Sequence, residues 1–233
     1  MNQRSIKKVA VLGSGVMGSR IACHFANGGA DVLLLDIPTP PKDGVPPSGA
    51  EANKIVNDAL AAALKSSPSP IYDKRFAKRI STGNFDDDLP KIKDCDWVIE
   101  VVVEPVDIKQ QVYTNVEKHR KPGTLITTNT SGIPIHALLE GRSEDFAKHF
   151  CGTHFFNPPR YLPLLEIIPG AKTDPAVLSF LEEYGQRVLG KVTVLCKDTP
   201  AFIANRIGVF GIMGLFHLVE EMGLTVEEVD RLT

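Results

Sequence analysis

Three glycines and an acid lead the residues that could do chemistry: Gly13, Gly15 and Gly18 in Gly13-Ser14-Gly15-Val16-Met17-Gly18, and Asp36 about twenty residues on. Lys7 to Leu12 before the glycines reads as a short buried strand. Val16 to Asn27 after them reads as a helix with Met17, Ile21, Ala22 and Phe25 on one face, and Asp31 to Asp36 as a second strand ending on its acid. A glycine triplet alone arises easily in loops; on a strand-to-helix turn with an acid beyond, it becomes a dinucleotide fingerprint. Glycine lets the backbone turn tightly, and the free N–H groups and dipole of the helix amino end favour a pyrophosphate. Gly13, Gly15, Val16, Met17 and Gly18 would line that contact, and Asp36 would accept from both hydroxyls of the adenosine ribose. Residues 37 and 38 are Ile and Pro, so no Arg waits for a 2′-phosphate, and NAD is expected over NADP.

A second cluster could move a proton. Of the six His, His24, His119 and His217 fall in expected helices and His136 and His149 in polar connections. His154 ends a strand and opens the loop Phe155-Phe156-Asn157-Pro158-Pro159, where open α/β sheets hold ligands. Glu166 lies within Leu164-Leu165-Glu166-Ile167-Ile168, an apolar run in which a lone carboxylate is costly. Adjacent strands would join the two, the acid fixing the imidazole tautomer for general base work. A satisfied core histidine beside an unrelated edge glutamate fits the same pattern equally well.

The elements that must hold these groups alternate as α/β. The Pro- and Gly-rich segment 38–48 is expected as a loop, Ala50 to Lys65 as a helix, Ser66 to Pro70 as a break and Tyr72 to Lys78 as a shorter helix. Together these form a helical hairpin inserted at about residues 48–79. Strands are expected at Arg79–Thr82, Trp97–Val103, Thr124–Thr128, Cys151–Phe155, Leu164–Ile168 and Val192–Leu195, and helices at Asp88–Lys93 and Val106–His119. Asp174-Pro175 reads as N-cap then N1, and Thr199-Pro200 repeats that signature before the longest apolar helix. From Phe202 to Met222 that helix is apolar nearly all round, which predicts burial on all sides, with Gly223 ending it. Thr225-Val226-Glu227-Glu228 resembles a capping box opening one more helix. The expected fold is a Rossmann-type, doubly wound, mostly parallel sheet over residues 1–199 with the hairpin insert. Residues 200–233 would begin a truncated all-α domain.

Composition narrows the partners. The chain has 233 residues, is 43% hydrophobic and carries a formal charge of −2, a field that would gather neither nucleic acid nor an anionic membrane. Cys23, Cys95, Cys151 and Cys196 form no C-x-x-C pair and read as reduced, buried thiols; no metal is expected. The first strand starts too close to Met1 for a leader, and Ile207 to Phe216 is too short to span a bilayer. A soluble cytoplasmic protein is the expectation.

Five stretches in order then carry a resemblance: the fingerprint; Val98-Ile99-Glu100-Val101-Val102-Val103-Glu104; Asn129-Thr130-Ser131; His154-Phe155-Phe156-Asn157-Pro158; and Asp198-Thr199-Pro200-Ala201-Phe202-Ile203-Ala204-Asn205-Arg206. Together they resemble the L-3-hydroxyacyl-CoA dehydrogenase family. Thr130-Ser131-Gly132-Ile133, Ser143-Glu144-Asp145-Phe146 and Asn157-Pro158-Pro159-Arg160-Tyr161-Leu162 are similar to its branch of long bacterial fatty-acid oxidation proteins. The resemblance implies NAD-dependent oxidation of L-3-hydroxyacyl-CoA to 3-ketoacyl-CoA in fatty-acid β-oxidation. It makes His154 the base, Glu166 its orienting partner, Ser131 a hydrogen-bond partner of the reacting oxygen beside the nicotinamide, and Asn205 an amide near the thioester. Glu104, Lys109 and Asn157 become cofactor contacts, although Glu104 and Lys109 alone read as a solvated pair and Ser131 as turn chemistry. Pro105 departs from the polar residue common in the family. The hairpin occupies the position that grips coenzyme A, where Lys54 and Lys65 could meet phosphates or simply form a wet face. The substrate would be an acyl-CoA. Residues 200–222 would be covered by a homo-oligomer partner or by the rest of the helical domain, and the fragment alone would turn over acyl-CoA poorly.

Two other readings use the same residues. A dehydrogenase of a small hydroxy or sugar acid would leave the long hairpin without a task. A non-catalytic NAD-binding module would have no use for His154, Glu166, Ser131 and Asn205 together.

Overall fold

The computed structural model describes residues 4–232. Eight strands form one sheet: β1 Lys8–Leu12, β2 Asp31–Asp36, β3 Ile80–Asn84, β4 Trp97–Glu100, β5 Leu125–Thr128, β6 Phe150–Phe155, β7 Leu164–Pro169 and β8 Val192–Leu195, in the order β3-β2-β1-β4-β5-β6-β7-β8. Neighbours are parallel except β6 with β7. The expected Rossmann architecture is therefore observed. The strand order reverses between β1 and β4, the switch point at which such sheets open a crevice for ligands.

The helices are α1 Val16–Asn27, α2 Lys54–Lys65, α3 Val106–His119, α4 Ile135–Leu138, α5 Glu144–Lys148, α6 Pro175–Arg187, α7 Ala204–Met222 and α8 Val226–Leu232. Apolar side chains fill both faces of the sheet. One layer gathers Val9, Val11, Ile21, Phe25, Trp97 and Ile99, and the other Ala10, Leu12, Val98, Tyr113, Ile126 and Phe150. Strands β1 and β4 sit between the layers, which is why they read as continuous apolar runs. Asp174 caps α6 by accepting from Ala176 N at 2.8 Å, and Thr225 and Glu228 bond reciprocally at the start of α8, as their spacing predicts. All four cysteines are free and buried.

Several expectations are corrected. Strand β4 ends at Glu100, although Val101 N still reaches Leu12 O at 2.8 Å. The second arm of the insert and the segment before β4 are 3₁₀ turns, Lys74–Arg79 and Leu89–Asp94, and α2 begins at Lys54 rather than residue 50. The longest helix begins at Ala204, because Ala201 and Phe202 adopt positive φ of 63° and 48° and break the run from Pro200. None of the residues of α7 is buried, and Phe210 is 80% exposed, contrary to burial on all sides. Gly223 ends α7 in the left-handed conformation at φ 62°, as expected. No helix among the described residues is long and apolar enough to cross a membrane, and among them no His, Cys, Asp or Glu cluster suits a metal.

Candidate active site

The glycine cluster lies at the turn after β1. Gly13 has φ 102°, and a Cβ there would lie 2.6 Å from Val101 O; at Gly18 a Cβ would lie 1.8 Å from Gly13 O. Helix α1 can pack this closely on the turn only with glycine at both places. Gly15, by contrast, has no heavy atom within 4 Å of its would-be Cβ, so the outer face of the turn is open for a pyrophosphate. Asp36 stands at the end of the neighbouring strand, held by Ser14 N at 2.6 Å on Oδ2 and by Ile37 N at 2.7 Å on Oδ1. A cavity of about 530 Å³ beside them is lined by Gly13, Gly15, Asp36, Ile37, Val102 and Ile108 among others. Open turn, fixed acid and apolar slot together fit a dinucleotide.

A second polar cluster lies on β6 and β7, whose antiparallel register sets His154 directly opposite Glu166. His154 Nδ1 and Glu166 Oε2 are 2.8 Å apart, and both residues are buried. A carboxylate can only accept, so Nδ1 carries a proton, and in the neutral ring Nε2 keeps a lone pair. Ser131 Oγ lies 2.9 Å from that Nε2. The second oxygen of Glu166 accepts from Ile203 N at 3.1 Å and Ala204 N at 2.8 Å, so one acid orients the imidazole and caps α7. Phe156 and Phe202 flank the ring edge-on, at centroid distances of 4.5 and 5.6 Å.

Ser131 is placed from two sides. Glu104 accepts from Ser131 N at 3.2 Å and from Thr130 Oγ1 at 2.8 Å, and Asn129 Oδ1 accepts from Phe155 N at 2.9 Å, tying the turn to β6. Lys109 is buried rather than solvated: its ammonium sits 2.8 Å from Glu100 and 3.5 Å from Glu104. Asn157 is exposed on the loop after β6, and Asn205 is half-buried in the first turn of α7. Arg160 anchors that loop to the insert, donating to Ser69 O at 2.7 Å with its guanidinium 4.1 Å over the Tyr72 ring. Lys54 and Lys65 are exposed on α2, and the Lys54 amine is already paired with Asp58 one turn on. The structure thus gathers Ser131, His154, Glu166 and Glu104 into one contact chain and leaves Lys54 and Lys65 outside it.

Residues not singled out from the sequence also build the site. Asp198 accepts from Ile135 N at 2.7 Å and His136 N at 3.0 Å, capping α4 behind the Ser131 turn. Glu100 saturates its buried carboxylate with four donors. An acid inside an apolar strand was its available signal.

Residues 8–199 match the family model described as 3-hydroxyacyl-CoA dehydrogenase, NAD binding domain. A probable 3-hydroxyacyl-CoA dehydrogenase of Bacillus subtilis is 47% identical over 99% of this chain, which spans 30% of that relative. A probable 3-hydroxyacyl-CoA dehydrogenase of Deinococcus radiodurans is 48% identical over 98% of this chain, which spans 64% of it. The crystal structure of FadB2 from M. tuberculosis superposes with a TM-score of 0.76 at 29% identity, covering 97% of this chain and 75% of that one.

Proposed function

The chain belongs to the 3-hydroxyacyl-CoA dehydrogenase family and carries its NAD-binding domain, and from that premise we propose that it oxidises L-3-hydroxyacyl-CoA to 3-ketoacyl-CoA, as a step of fatty-acid β-oxidation. The observation that carries this reading is the Ser131–His154–Glu166 chain, with the free lone pair of the imidazole pointing at a hydroxyl. Bound NAD supplies the hydride acceptor. His154 Nε2 takes the proton of the C3 hydroxyl, which displaces the Ser131 hydroxyl from its resting partner. Ser131 then donates to the C3 oxygen as that oxygen becomes a carbonyl. Glu166 stabilises the imidazolium, since its carboxylate already faces Nδ1, and it keeps the ring from turning. Asp36 holds the adenosine ribose, and Gly13, Gly15, Val16, Met17 and Gly18 cradle the pyrophosphate. Glu104, Lys109 and Asn157 border the nicotinamide half, with Lys109 acting from beneath Glu104. Asn205, on the helix capped by Glu166, positions the thioester end, and α2 with Lys54 and Lys65 faces coenzyme A. Residues 200–233 open a helical domain whose remaining helices, or a second copy, cover the apolar surface of α7. The setting is the cytoplasm.

The test is NADH-dependent reduction of acetoacetyl-CoA by the full-length protein, set against free acetoacetate and the keto form of a small sugar acid. Reduction of the thioester alone is expected. Faster reduction of the free acids would replace this reading with the small-acid dehydrogenase, and NADH binding without any turnover would leave a cofactor-binding module.

A further inference from the structure

Beneath the nicotinamide border lies an ion pair with no direct part in proton or hydride transfer. Glu100, the last residue of β4, is fully buried. Its Oε1 accepts from Val102 N at 2.7 Å and Lys109 Nζ at 2.8 Å, and its Oε2 from Tyr113 OH at 2.6 Å and Thr128 Oγ1 at 2.7 Å. Burial, with the Glu100 charge alongside, holds the Tyr113 phenol protonated far above its ordinary range, so it is a permanent donor. Lys109, also buried, donates to Glu100 and to Val102 O at 3.3 Å, and its ammonium forms an ion pair with Glu104 at 3.5 Å. Glu104 in turn holds Thr130 and Ser131, and Ser131 meets His154. Polar contacts therefore run unbroken from the core under β4 to the base.

We propose that Glu100 is a positioning residue: it anchors the Lys109 ammonium beneath Glu104 and thereby sets both the Thr130-Ser131 turn and the charge facing the nicotinamide. The inference rests on the assignment of Glu104 and Lys109 to the nicotinamide half. Two carboxylates around one ammonium leave the cluster at −1. The nicotinamide ring is cationic when oxidised and neutral when reduced, so this excess favours NAD⁺ over NADH. Glu100→Gln brings the cluster to zero and Lys109→Met brings it to −2, so the two changes must move the oxidised-to-reduced preference in opposite directions. The double variant returns to −1 and removes a buried pair together, a change that interiors tolerate far better than orphaning one partner. Plain loss of structure would weaken both cofactor forms alike.

The experiment measures Kd for NAD⁺ and NADH by titration calorimetry on the full-length protein. Expected is a rise of about three- to tenfold in Kd(NAD⁺)/Kd(NADH) for Glu100→Gln, a comparable fall for Lys109→Met, and a ratio within about twofold of wild type for the pair. Shifts in the same direction, or a double variant that keeps the Glu100→Gln ratio, would overturn the proposal. Tyr113→Phe keeps every charge and the ring while removing one donor from Glu100. It is expected to lower kcat for acetoacetyl-CoA about threefold at an unchanged Kd ratio, and an unchanged kcat would overturn the positioning role even if Glu100→Gln does not fold. A wild type that binds NADH yet fails to reduce acetoacetyl-CoA would instead count against the substrate reading, because the Kd ratios need no thioester.

Discussion

Replacing Glu166 by Gln separates orientation from stability. The buried carboxylate takes His154 Nδ1–H on one oxygen and the backbone N–H groups of Ile203 and Ala204 on the other. An amide has one accepting oxygen and one donating NH₂. With the oxygen left on the amino end of α7, the NH₂ faces Nδ1 and forces that nitrogen to accept. The ring proton moves to Nε2, which donates to Ser131, so every group stays bonded but the base has lost its lone pair. The opposite orientation sets the NH₂ against two N–H donors and is excluded. Three charge-assisted bonds become neutral ones, a loss of about 2 kcal/mol in all, which lowers Tm by about 4–8 °C for a chain of this size. The rate should fall much further, by about 10²–10⁴, the usual contribution of a positioned base. NADH oxidation at 340 nm with acetoacetyl-CoA, a thermal melt and an NADH titration on full-length protein decide it. A kcat within about threefold of wild type would refute the tautomer argument, and an equal loss of NADH affinity would make the effect structural.

Three further outcomes follow from the geometry. Asp36→Asn removes the charge proposed to face the ribose, so NAD affinity should drop about tenfold and discrimination against NADP should narrow by a similar factor in paired titrations; unchanged discrimination would separate Asp36 from cofactor choice. Gly18→Ala forces a methyl against Gly13 O, and should weaken NADH binding at least about tenfold and lower Tm by about 4 °C or more; wild-type values for both would contradict the close packing of turn and helix. His24 is buried with Nε2 3.0 Å from Leu189 O, and burial, reinforced by the Lys191 charge, lowers its pKa from 6.5 to about 4. Between those values the unfolded chain takes up a proton that the folded chain refuses, so stability rises with pH across the window and falls on acidification. Urea unfolding should lose on the order of 3 kcal/mol from this group by pH 4, and His24→Gln should flatten that slope; an identical slope would refute it.

The sequence carried the first βαβ unit because glycine spacing, apolar strands and a terminal acid all answer to local rules. His154 and Glu166 were legible as residues, and as a pair in only one of two equally good readings: alternation finds two strands, while the register of β6 on β7 sets them face to face. Glu100 showed only as an acid in an apolar run, and because the valines continue past the true end of the strand, the run did not place it at the end of β4. The start of α7 is set by a tertiary contact that no local pattern shows. Pro200 offers a local helix start, yet the Glu166 carboxylate takes the Ile203 and Ala204 N–H groups and moves the start to Ala204. Helices α4 and α5 are too short for periodicity to register, although Ser143 caps α5 by accepting from Phe146 N at 3.2 Å. The all-round apolar character of α7 was legible, while its exposure among the described residues was not.

The imidazole itself gives the most direct measurement: single-turnover oxidation of NADH by acetoacetyl-CoA in full-length protein, wild type against His154→Gln, with NADH affinity measured on both. If His154 is the base, the variant binds NADH within about twofold of wild type and transfers hydride at least about a hundredfold more slowly. A variant that keeps its cofactor and reacts within about threefold of wild type would remove His154, and with it the Ser131–His154–Glu166 chain, from the chemistry.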